Sequence, residues 1–334
     1  MTRKLRLTAL VWLTFGLASI GWSQTADSSS TSPITIAIIS DLNSAYGSTS
    51  YHESVHETLN YIINDVKPDL VLAGGDMIAG QKPELSDDQV RSMWQAFDSK
   101  IAKRLREANI PFAFTIGNHD GSGHPHHRRD RRLAKEYWQA HQPDLYWDDQ
   151  AGFPFYYSFK LKDMQIAVWD ASTAVIPDSN LSWLKKNFSQ SSTDQQNFRL
   201  LIGHLPLYGV APERDTKGNV LEHPQQMHAL MQDLHIDLYI SGHHHAFYPA
   251  QKNGLYFLHS GAIGSGPRKL LQNDKPAVKA FTILEIHPQT KRMQYTTFNA
   301  DSWDRIPHSS LPDSIESRNG TIYLSGEHLQ LQKH

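Results

Sequence analysis

The chain has 334 residues, of which 39% are hydrophobic, and this is enough for one large domain or two small ones with a sizeable core. Lysine and arginine number 32 against 34 acidic residues, so the net charge of -2 gives no nucleic-acid-binding signature and no reason to coat an anionic membrane. The absence of cysteine excludes disulfides, thiolate catalysis and cysteine-ligated zinc.

Residues 1–23 are typical of a secretory signal peptide. Three basic residues within the first six precede an apolar stretch over 7–20 and the small residues Gly21 and Ser23. An uncleaved membrane anchor is the alternative, but the stretch is shorter than the roughly 20 residues that a spanning helix needs. We therefore expect cleavage near Gln24, a periplasmic or secreted protein, and no membrane span in the mature chain.

A polar, serine-rich linker is predicted over 24–32, followed by one folded domain over 33–300. Residues 301–334 are predicted to form a C-terminal extension that packs on this domain. The domain opens with a β-branched, nearly all-apolar run over 34–40, which is typical of a strand buried on both faces.

The first half of the domain alternates predicted strands and helices. The spacing of apolar residues predicts helices over 50–66 and 90–105, and apolar runs predict strands over 70–73 and 111–116. Pro68 ends the first of these helices. This β-α-β-α-β order places the C-terminal ends of the strands at one edge of an α/β sheet, where ligands bind.

The second half mixes strands and helices less regularly. Two apolar runs on either side of Lys162-Asp163 predict a hairpin. Helices are predicted over 180–188 and 223–234, and strands over 198–206 and 237–241. Strands near 255–260, 279–286 and 293–299 are expected to complete a second sheet.

Five of the predicted strands run directly into short polar clusters. These clusters are Asp41-Leu42-Asn43, Gly75-Asp76, Gly117-Asn118-His119-Asp120, Gly203-His204 and Gly242-His243-His244-His245. Alone, an Asp after a strand is most often a turn or cap residue, and a lone His is most often a core residue. Together the clusters would bring carboxylates, an amide and imidazoles to one sheet edge.

Oxygen and imidazole donors without thiolate suit zinc, iron or manganese. Two acidic residues with several histidines exceed what one tetrahedral ion needs, so two ions are the economical interpretation. A metal pair about 3.5 to 4 Å apart is typical of enzymes that act on phosphoryl groups.

The ordered motifs D-x-N, G-D, G-N-H-D, G-H and G-H-x-H resemble those of the calcineurin-like metallophosphoesterase superfamily over roughly residues 34–270. The resemblance implies an α/β fold of two stacked mixed β-sheets flanked by helices, in four αββα layers. It also implies hydrolysis of phosphate mono- or diesters of small molecules, with hydroxide held by two metal ions as the nucleophile.

The same resemblance assigns roles to individual residues. Asp76 would bridge both ions. The first ion would be held by Asp41 and His245, and the second by Asn118, His204 and His243. His119 would stabilise the transition state and protonate the leaving oxygen, a task for which imidazole has a suitable pKa.

Two positions depart from the family pattern. The first motif of the family is usually D-x-H, whereas this chain has Asn43, so we expect a weaker first site or a preference for a harder ion such as manganese. Asn43 remains a candidate ligand. Ala79 occupies the place of the tyrosine that the purple acid phosphatase branch requires, which argues against a tyrosinate-iron centre.

Several neighbouring residues have two interpretations. Arg128 and Arg129 follow the third cluster and would form either a cationic rim for phosphate or a solvated helix start. Asp120 would orient either backbone or His119, and His244 is expected to support a neighbour rather than bind metal. Tyr46 and His52 are candidates for the mouth of the site, and residues 261–266 for a close approach of bare backbone.

Two other functions compete with catalysis. A metal-poor relative that serves as a binding scaffold would not need His119 beside the ligands, and the nearly complete ligand set argues against it. Storage of metal by the histidine-rich loops predicts binding without turnover. The motifs address only the phosphoryl group, so the substrate is open at this stage.

Overall fold

The structure, a computed structural model, describes residues 32–189, 198–264 and 266–331. The predicted signal peptide and nearly all of the predicted linker therefore lie outside the described residues. The residues from Pro33 onward belong to one compact unit. None of the helices in the described ranges is long and apolar enough to cross a membrane.

The described residues form strands and helices in alternation along much of the chain. The strands are β1 (Ile34–Ile39), β2 (Leu70–Ala73), β3 (Phe112–Phe114), β4 (Tyr146–Gly152), β5 (Tyr156–Leu161), β6 (Met164–Val168), β7 (Phe198–Ile202), β8 (Leu238–Ser241), β9 (Tyr248–Lys252), β10 (Leu255–His259), β11 (Ala280–His287), β12 (Arg292–Asn299), β13 (Ser314–Ser317), β14 (Gly320–Leu324) and β15 (His328–Gln330). The helices are α1 (Glu53–Tyr61), α2 (Asp87–Phe97), α3 (Lys103–Glu107), α4 (Asn118–Gly121), α5 (Arg128–Ala140), α6 (Asp178–Ser189) and α7 (Pro224–Asp233).

Two mixed sheets contain these strands. The six-stranded sheet has the order β15-β12-β11-β1-β2-β3, with β1, β2 and β3 parallel. The nine-stranded sheet has the order β13-β14-β9-β10-β8-β7-β6-β5-β4, with β6, β7, β8 and β10 parallel. Both sheets therefore present a set of parallel strand ends.

Side chains that point alternately to the two faces of each strand build the layers of the fold. In β1, Ile36 and Ile38 pack toward the second sheet, against residues such as Ile202, whereas Ala37 and Ile39 pack toward α1 and α2. The outer face of the second sheet is covered by α6 and α7 through a separate apolar cluster. Successive side chains of a strand point to opposite faces, so one apolar run serves two layers. The expected α/β fold of two mixed sheets flanked by helices is confirmed.

The two strands near 279–286 and 293–299 were assigned to the wrong sheet by the sequence. Strand β11 pairs antiparallel with β1, from Ile34 opposite Ile286 to Ile38 opposite Thr282, and β12 pairs with β11. Only the strand near 255–260 joins the second sheet, as β10 beside β8. Without β11, the outer edge of β1 would leave a row of backbone N–H and C=O groups unpaired.

The helices also differ in detail from the predicted ranges. Helix α1 ends in a π-helical turn over Ile62–Val66, and Lys67 adopts a left-handed conformation just before Pro68. The helix predicted over 90–105 starts earlier, at α2, because Ser86 and Gln89 form a capping box. It continues through a π-helical turn into α3.

The C-terminal segment contributes to both sheets. Strand β14 pairs with β9 of the nine-stranded sheet, and β15 pairs with β12 of the six-stranded sheet. Its short strands carry little periodic signal, and the sequence analysis predicted no particular elements within this extension.

Two ion pairs connect the sheets, one buried and one exposed. Lys291 Nζ, between β11 and β12, lies 2.6 Å from Asp237 Oδ2 at the start of β8, and the side chains are 2% and 1% exposed. Lys162 Nζ, between β5 and β6, lies 2.7 Å from Asp69 Oδ1 beside β2, with 52% and 30% exposure. A buried carboxylate that loses its partner is costly, whereas an exposed pair contributes little.

We therefore expect Lys291→Met to lower the free energy of unfolding by about 3–5 kcal/mol, because Asp237 would stay buried without its cation. The matched change Lys162→Met should cost about 1 kcal/mol or less. Urea denaturation of both variants measures the difference. Equal losses of unfolding free energy in the two variants would show that burial does not distinguish the two ion pairs.

Candidate metal centre

The five polar clusters lie at the C-terminal ends of β1, β2, β3, β7 and β8, where the two sheets meet. Backbone bonds align neighbouring ends within each sheet, as between the Asp41 N–H and the Gly75 carbonyl at 3.0 Å. Across the sheets, the His243 N–H donates to both carboxylate oxygens of Asp41 at 3.2 Å. Residues separated by up to two hundred positions are thereby brought to one edge.

Two groups of potential metal ligands form at this edge. The first metal group is Asp41, Asp76 and His245, and the second metal group is Asp76, His204 and His243. In each group the donor atoms lie within 4.8 Å of one another. Asp76 belongs to both groups, as a bridging carboxylate would.

Two of the histidines have their tautomers fixed by backbone carbonyls. His204 Nδ1 lies 2.8 Å from the Gly74 oxygen, and His245 Nδ1 lies 2.8 Å from the Gly266 oxygen. Each Nδ1 must therefore carry a proton and donate it. The lone pair of each neutral ring is on Nε2, which faces Asp76 Oδ1 at 3.4 Å for His204 and Asp41 Oδ1 at 3.1 Å for His245.

The tautomer of His243 is fixed by a side chain, with the proton on Nε2 rather than on Nδ1. Its Nε2 lies 2.9 Å from Asn219 Oδ1, which also accepts from Arg214 Nη1 at 3.1 Å, so this oxygen is an acceptor and Nε2 is the donor. The lone pair is then on Nδ1, only 3.3 Å from His204 Nε2. Neutral rings thus place two lone pairs face to face, an arrangement that a shared cation stabilises.

Asn118 completes the second metal group from the side. Its amide nitrogen donates to Gln81 Oε1 at 2.6 Å, and its oxygen lies 3.0 Å from His204 Nε2. Asn43 is buried beside the first metal group, and its amide nitrogen donates to the Ile78 carbonyl at 3.3 Å. The amide oxygens are the atoms that a metal ion would take from these two residues.

The backbone is strained at four of the candidate ligands. Asp41, Asp76, His243 and His245 have φ between 51° and 65°, a left-handed region that costs energy for residues other than glycine. A side chain on Gly117 would collide with Asp76, so only glycine allows the third cluster to approach the second. Such strain is common where side chains are aimed at a ligand.

Charge at the centre favours a cation. Burial acts to raise the pKa of Asp76, but the charges of His204 and His119 outweigh it and hold this pKa well below its ordinary value. Burial likewise acts to lower the pKa of His204, but Asp76 and Asp41 raise it to about 9. For His243, burial and the His204 charge lower the pKa well below the usual range. The buried carboxylates thus hold positive charge strongly, and a metal ion would compete for the place of the His204 proton.

His119 stands beside the ligands rather than among them. Its Nε2 lies 3.9 Å from Asp76 Oδ2, and its Nδ1 lies 3.3 Å from the Gly80 carbonyl. The exposed ring of Tyr46 lies over it, with centroids 5.1 Å apart. The imidazole is therefore held with one nitrogen turned toward the centre, where it can transfer a proton.

Asp120 orients backbone rather than His119. One carboxylate oxygen accepts from the Met77 and Ile78 N–H groups at 2.8 and 3.0 Å, and the other accepts from the Gly117 N–H at 2.8 Å. Burial and the Asp76 charge raise the pKa of Asp120 to about 7. This side chain ties the loop after β2 to the loop after β3.

His244 supports a loop, as its place between two ligands predicts. Its Nδ1 accepts from the Val210 N–H at 3.1 Å, and its Nε2 donates to the Asn219 carbonyl at 3.0 Å. The loop over 210–220 is therefore fixed onto the centre at both ends. Asn219 and Gln81, which orient His243 and Asn118, were missed by the sequence because isolated loop residues carry no periodicity or motif.

Arg129 is engaged in structural contacts. Its guanidinium donates to the carbonyls of Lys82 and Leu85 and to Asp130. Arg128 is exposed at the start of α5. A cleft beside the centre is lined by neither residue but by Arg214, which the sequence analysis did not select. These contacts argue against Arg129 as part of a cationic rim for phosphate.

Residues 261–264 and Gly266 do approach the centre with bare backbone. The Ile263 and Gly264 N–H groups donate to the carbonyls of Ser40 and Asp41, and the Gly266 carbonyl holds His245. A side chain on Gly264 would collide with the backbone of the first cluster. His52 is exposed at the start of α1, as a surface turn residue would be.

The model of the calcineurin-like phosphoesterase family matches residues 34–247, which span β1 to the last polar cluster. The chain belongs to this family. No curated protein sequence matches the chain. The family assignment supports a phosphoesterase type of chemistry that depends on metal.

Solved structures with this fold show low sequence identity. GAP50, the anchor in the inner membrane complex of Plasmodium, superimposes with a TM-score of 0.51 at 12% identity, covering 91% of this chain and 90% of that one. A predicted phosphoesterase from Streptococcus pneumoniae gives 0.37 at 14% identity, over 83% and 95%. A putative 5'-nucleotidase from Staphylococcus aureus gives 0.42 at 11% identity, over 90% and 54%. At this identity the likeness concerns the fold alone.

Asn219→Ala should weaken metal binding by about 10- to 100-fold, because His243 would lose the acceptor that fixes its tautomer. Asn219→Asp keeps an oxygen acceptor at the same place and should stay within a few-fold of the parent. Isothermal titration with manganese or zinc measures both. Equal affinity of the alanine variant and the parent would show that Asn219 does not orient the ligand.

Proposed function

We propose that this chain hydrolyses phosphate mono- or diesters of small molecules with two bound metal ions of manganese, iron or zinc. The observation that supports this most directly is the orientation of the three histidines. Each ring nitrogen that points away from the centre donates to a fixed oxygen, and each remaining lone pair points into it. A binding surface without metal has no use for this arrangement.

The ligands divide between the two ions as the shared carboxylate suggests. Asp76 would bridge, Asp41 and His245 would hold the first ion, and His204, His243 and Asn118 the second. Asn43 remains the proposed further oxygen donor of the first ion. When bound, the ions would activate water and neutralise the charge of the phosphoryl oxygens.

His119 is the proposed general acid. Its Nδ1 faces the Gly80 carbonyl, so the imidazolium form can keep that hydrogen bond while Nε2–H reaches the leaving oxygen. Nε2 lies 3.9 Å from Asp76 Oδ2, at the edge of the proposed metal centre. Because His119 belongs to neither metal group, its removal should affect proton transfer and not metal binding.

His119→Ala should lower kcat by about 10² to 10⁴-fold for phenyl phosphate, whose leaving oxygen needs a proton. The loss should be much smaller for p-nitrophenyl phosphate, because p-nitrophenolate leaves without protonation. Metal content, measured by mass spectrometry, should equal that of the parent. Equal losses with both esters would contradict the role of His119 as an acid.

Asp76→Asn should remove activity with both esters together with metal, since one residue serves both metal groups. Two ions per chain in the purified parent are expected, and less than about one ion would instead favour the scaffold function, because two-metal chemistry needs both. Turnover of p-nitrophenyl phosphate or its bis ester by Asp76→Asn at the parental rate would exclude the proposed mechanism.

We also propose that the chain is exported, with a signal peptide over 1–23 removed near Gln24. The basic start and the apolar stretch of the sequence support this proposal. N-terminal sequencing of the protein recovered from the periplasm or the medium should begin close to Gln24. A mature protein that still begins at Met1 would contradict it.

A further inference from the structure

A cleft of about 600 Å³ opens beside the second metal group. Asn118 and His243 are among its lining residues, so a ligand in the cleft would lie against the second metal group. Small-molecule sites typically have volumes of about 300–1,000 Å³. The cleft can therefore hold the part of a substrate that lies beyond its scissile phosphoryl group.

The cleft is lined by basic side chains and by no acidic ones in the described ranges. Its lining includes the guanidinium of Arg214 and the imidazoles of His124, His126 and His127. In the described part of the chain, no aspartate or glutamate lines this cleft. An anion between the Arg214 guanidinium and two bound metal ions would be attracted by both, and the imidazoles could donate hydrogen bonds to it.

Arg214 differs from the other arginines near the centre. Arg131 pairs with Asp170, Arg132 with Asp87, and Arg268 with Glu213. Across the described ranges, Arg214 has no carboxylate within ion-pair distance, and its side chain donates only to Asn219, at 3.1 Å. A half-buried guanidinium without a counter-ion is suited to bind phosphate, because its fork of donors matches the phosphate oxygens.

The position of Arg214 is fixed before any ligand arrives. Its loop is held by both ring nitrogens of His244, and Asn219 connects its guanidinium to His243. The cation therefore stands at a set distance from the second metal group. Preorganisation of this kind lowers the entropic cost of binding.

The walls also argue against a nucleobase. No phenylalanine, tyrosine or tryptophan lines the cleft in the ranges that the structure describes, so no ring is placed to stack on a base. The lining side chains other than Arg214 and the histidines are mainly small or polar, such as Ser122, Ser172 and Thr173. These features suit a hydrophilic ligand with a second anionic group.

We propose that the cleft binds a second phosphate of the substrate through Arg214 and the histidines that line it, so that the preferred substrates are small polar molecules with two phosphates. This inference rests on the proposed phosphoesterase function and specifies its substrate class. The second phosphate is either a separate ester on the same molecule or the next unit of a phosphate chain.

Kinetics with matched substrates test the proposal. The kcat/KM of the parent for fructose 1,6-bisphosphate should exceed that for fructose 6-phosphate by about tenfold or more, which is above the factor of two from two scissile groups. Tripolyphosphate distinguishes the two possible positions of the second phosphate, because preference for it over fructose 1,6-bisphosphate would indicate a phosphate chain. A ratio near two with the sugar phosphates and no turnover of tripolyphosphate would overturn the proposal.

Substitutions test which residues cause the preference for a substrate with two phosphates. Arg214→Gln should reduce the ratio of the two sugar phosphate kcat/KM values by about tenfold, and Arg214→Lys should restore part of it, since charge remains but the fork is lost. His126→Gln, at an exposed position, should reduce the ratio in the same direction. Lys217→Gln, exposed in the same loop, should leave the ratio unchanged. An unchanged ratio in Arg214→Gln would overturn the assignment.

Binding of phosphonates, which cannot be hydrolysed, separates this proposal from the proposed catalysis. Butane-1,4-bisphosphonate should bind the metal-loaded parent about tenfold more tightly than butylphosphonate, and Arg214→Gln should remove the difference. This preference without any turnover would reject the catalytic function alone. Turnover of phosphate esters with equal binding of both phosphonates would reject only the cleft.

Discussion

Two carboxylates, Asp41 and Asp76, are buried where the ends of two sheets meet, and the rest of the site is arranged around their charge. Neither side chain is more than 2% exposed, so the cost of removing them from water has to be offset locally. Backbone N–H groups of His243 and His119 offset part of it, and imidazoles offset more. The arrangement leaves the centre with a strong attraction for positive charge.

This constraint explains why the site needs two sheets. Parallel strands in one sheet place their ends side by side about 5 Å apart, which suits Asp41, Asp76 and Asn118. A second row of strand ends, carrying His204 and His243, faces the first across the apolar layer. Gly242, just before His243, lets the two rows approach, because a side chain there would collide with Ser40 and Asp41.

Much of this could be predicted from the sequence, because the strands are apolar and end abruptly in polar residues. The histidines and acids of the centre come directly after such strands, so a local signal was enough to find them. Strands β11 and β12 were placed in the wrong sheet since alternation shows that a strand has a buried face but not which strand pairs with it. Arg214, Asn219 and Gln81 lie in irregular loops, and only the folded chain shows what they contact.

The side-chain oxygen of Asn219 accepts from His243, a candidate metal ligand, and from Arg214, which lines the cleft. This one oxygen atom thus connects the cleft to the candidate metal centre. A substitution of Asn219 that adapts the cleft to another molecule would also disturb the metal site. A substitution of Asn219 that changes the metal affinity would likewise alter the cleft. We expect substrate divergence among relatives that share this loop to proceed by paired changes rather than single ones, with compensation at the histidine or the arginine.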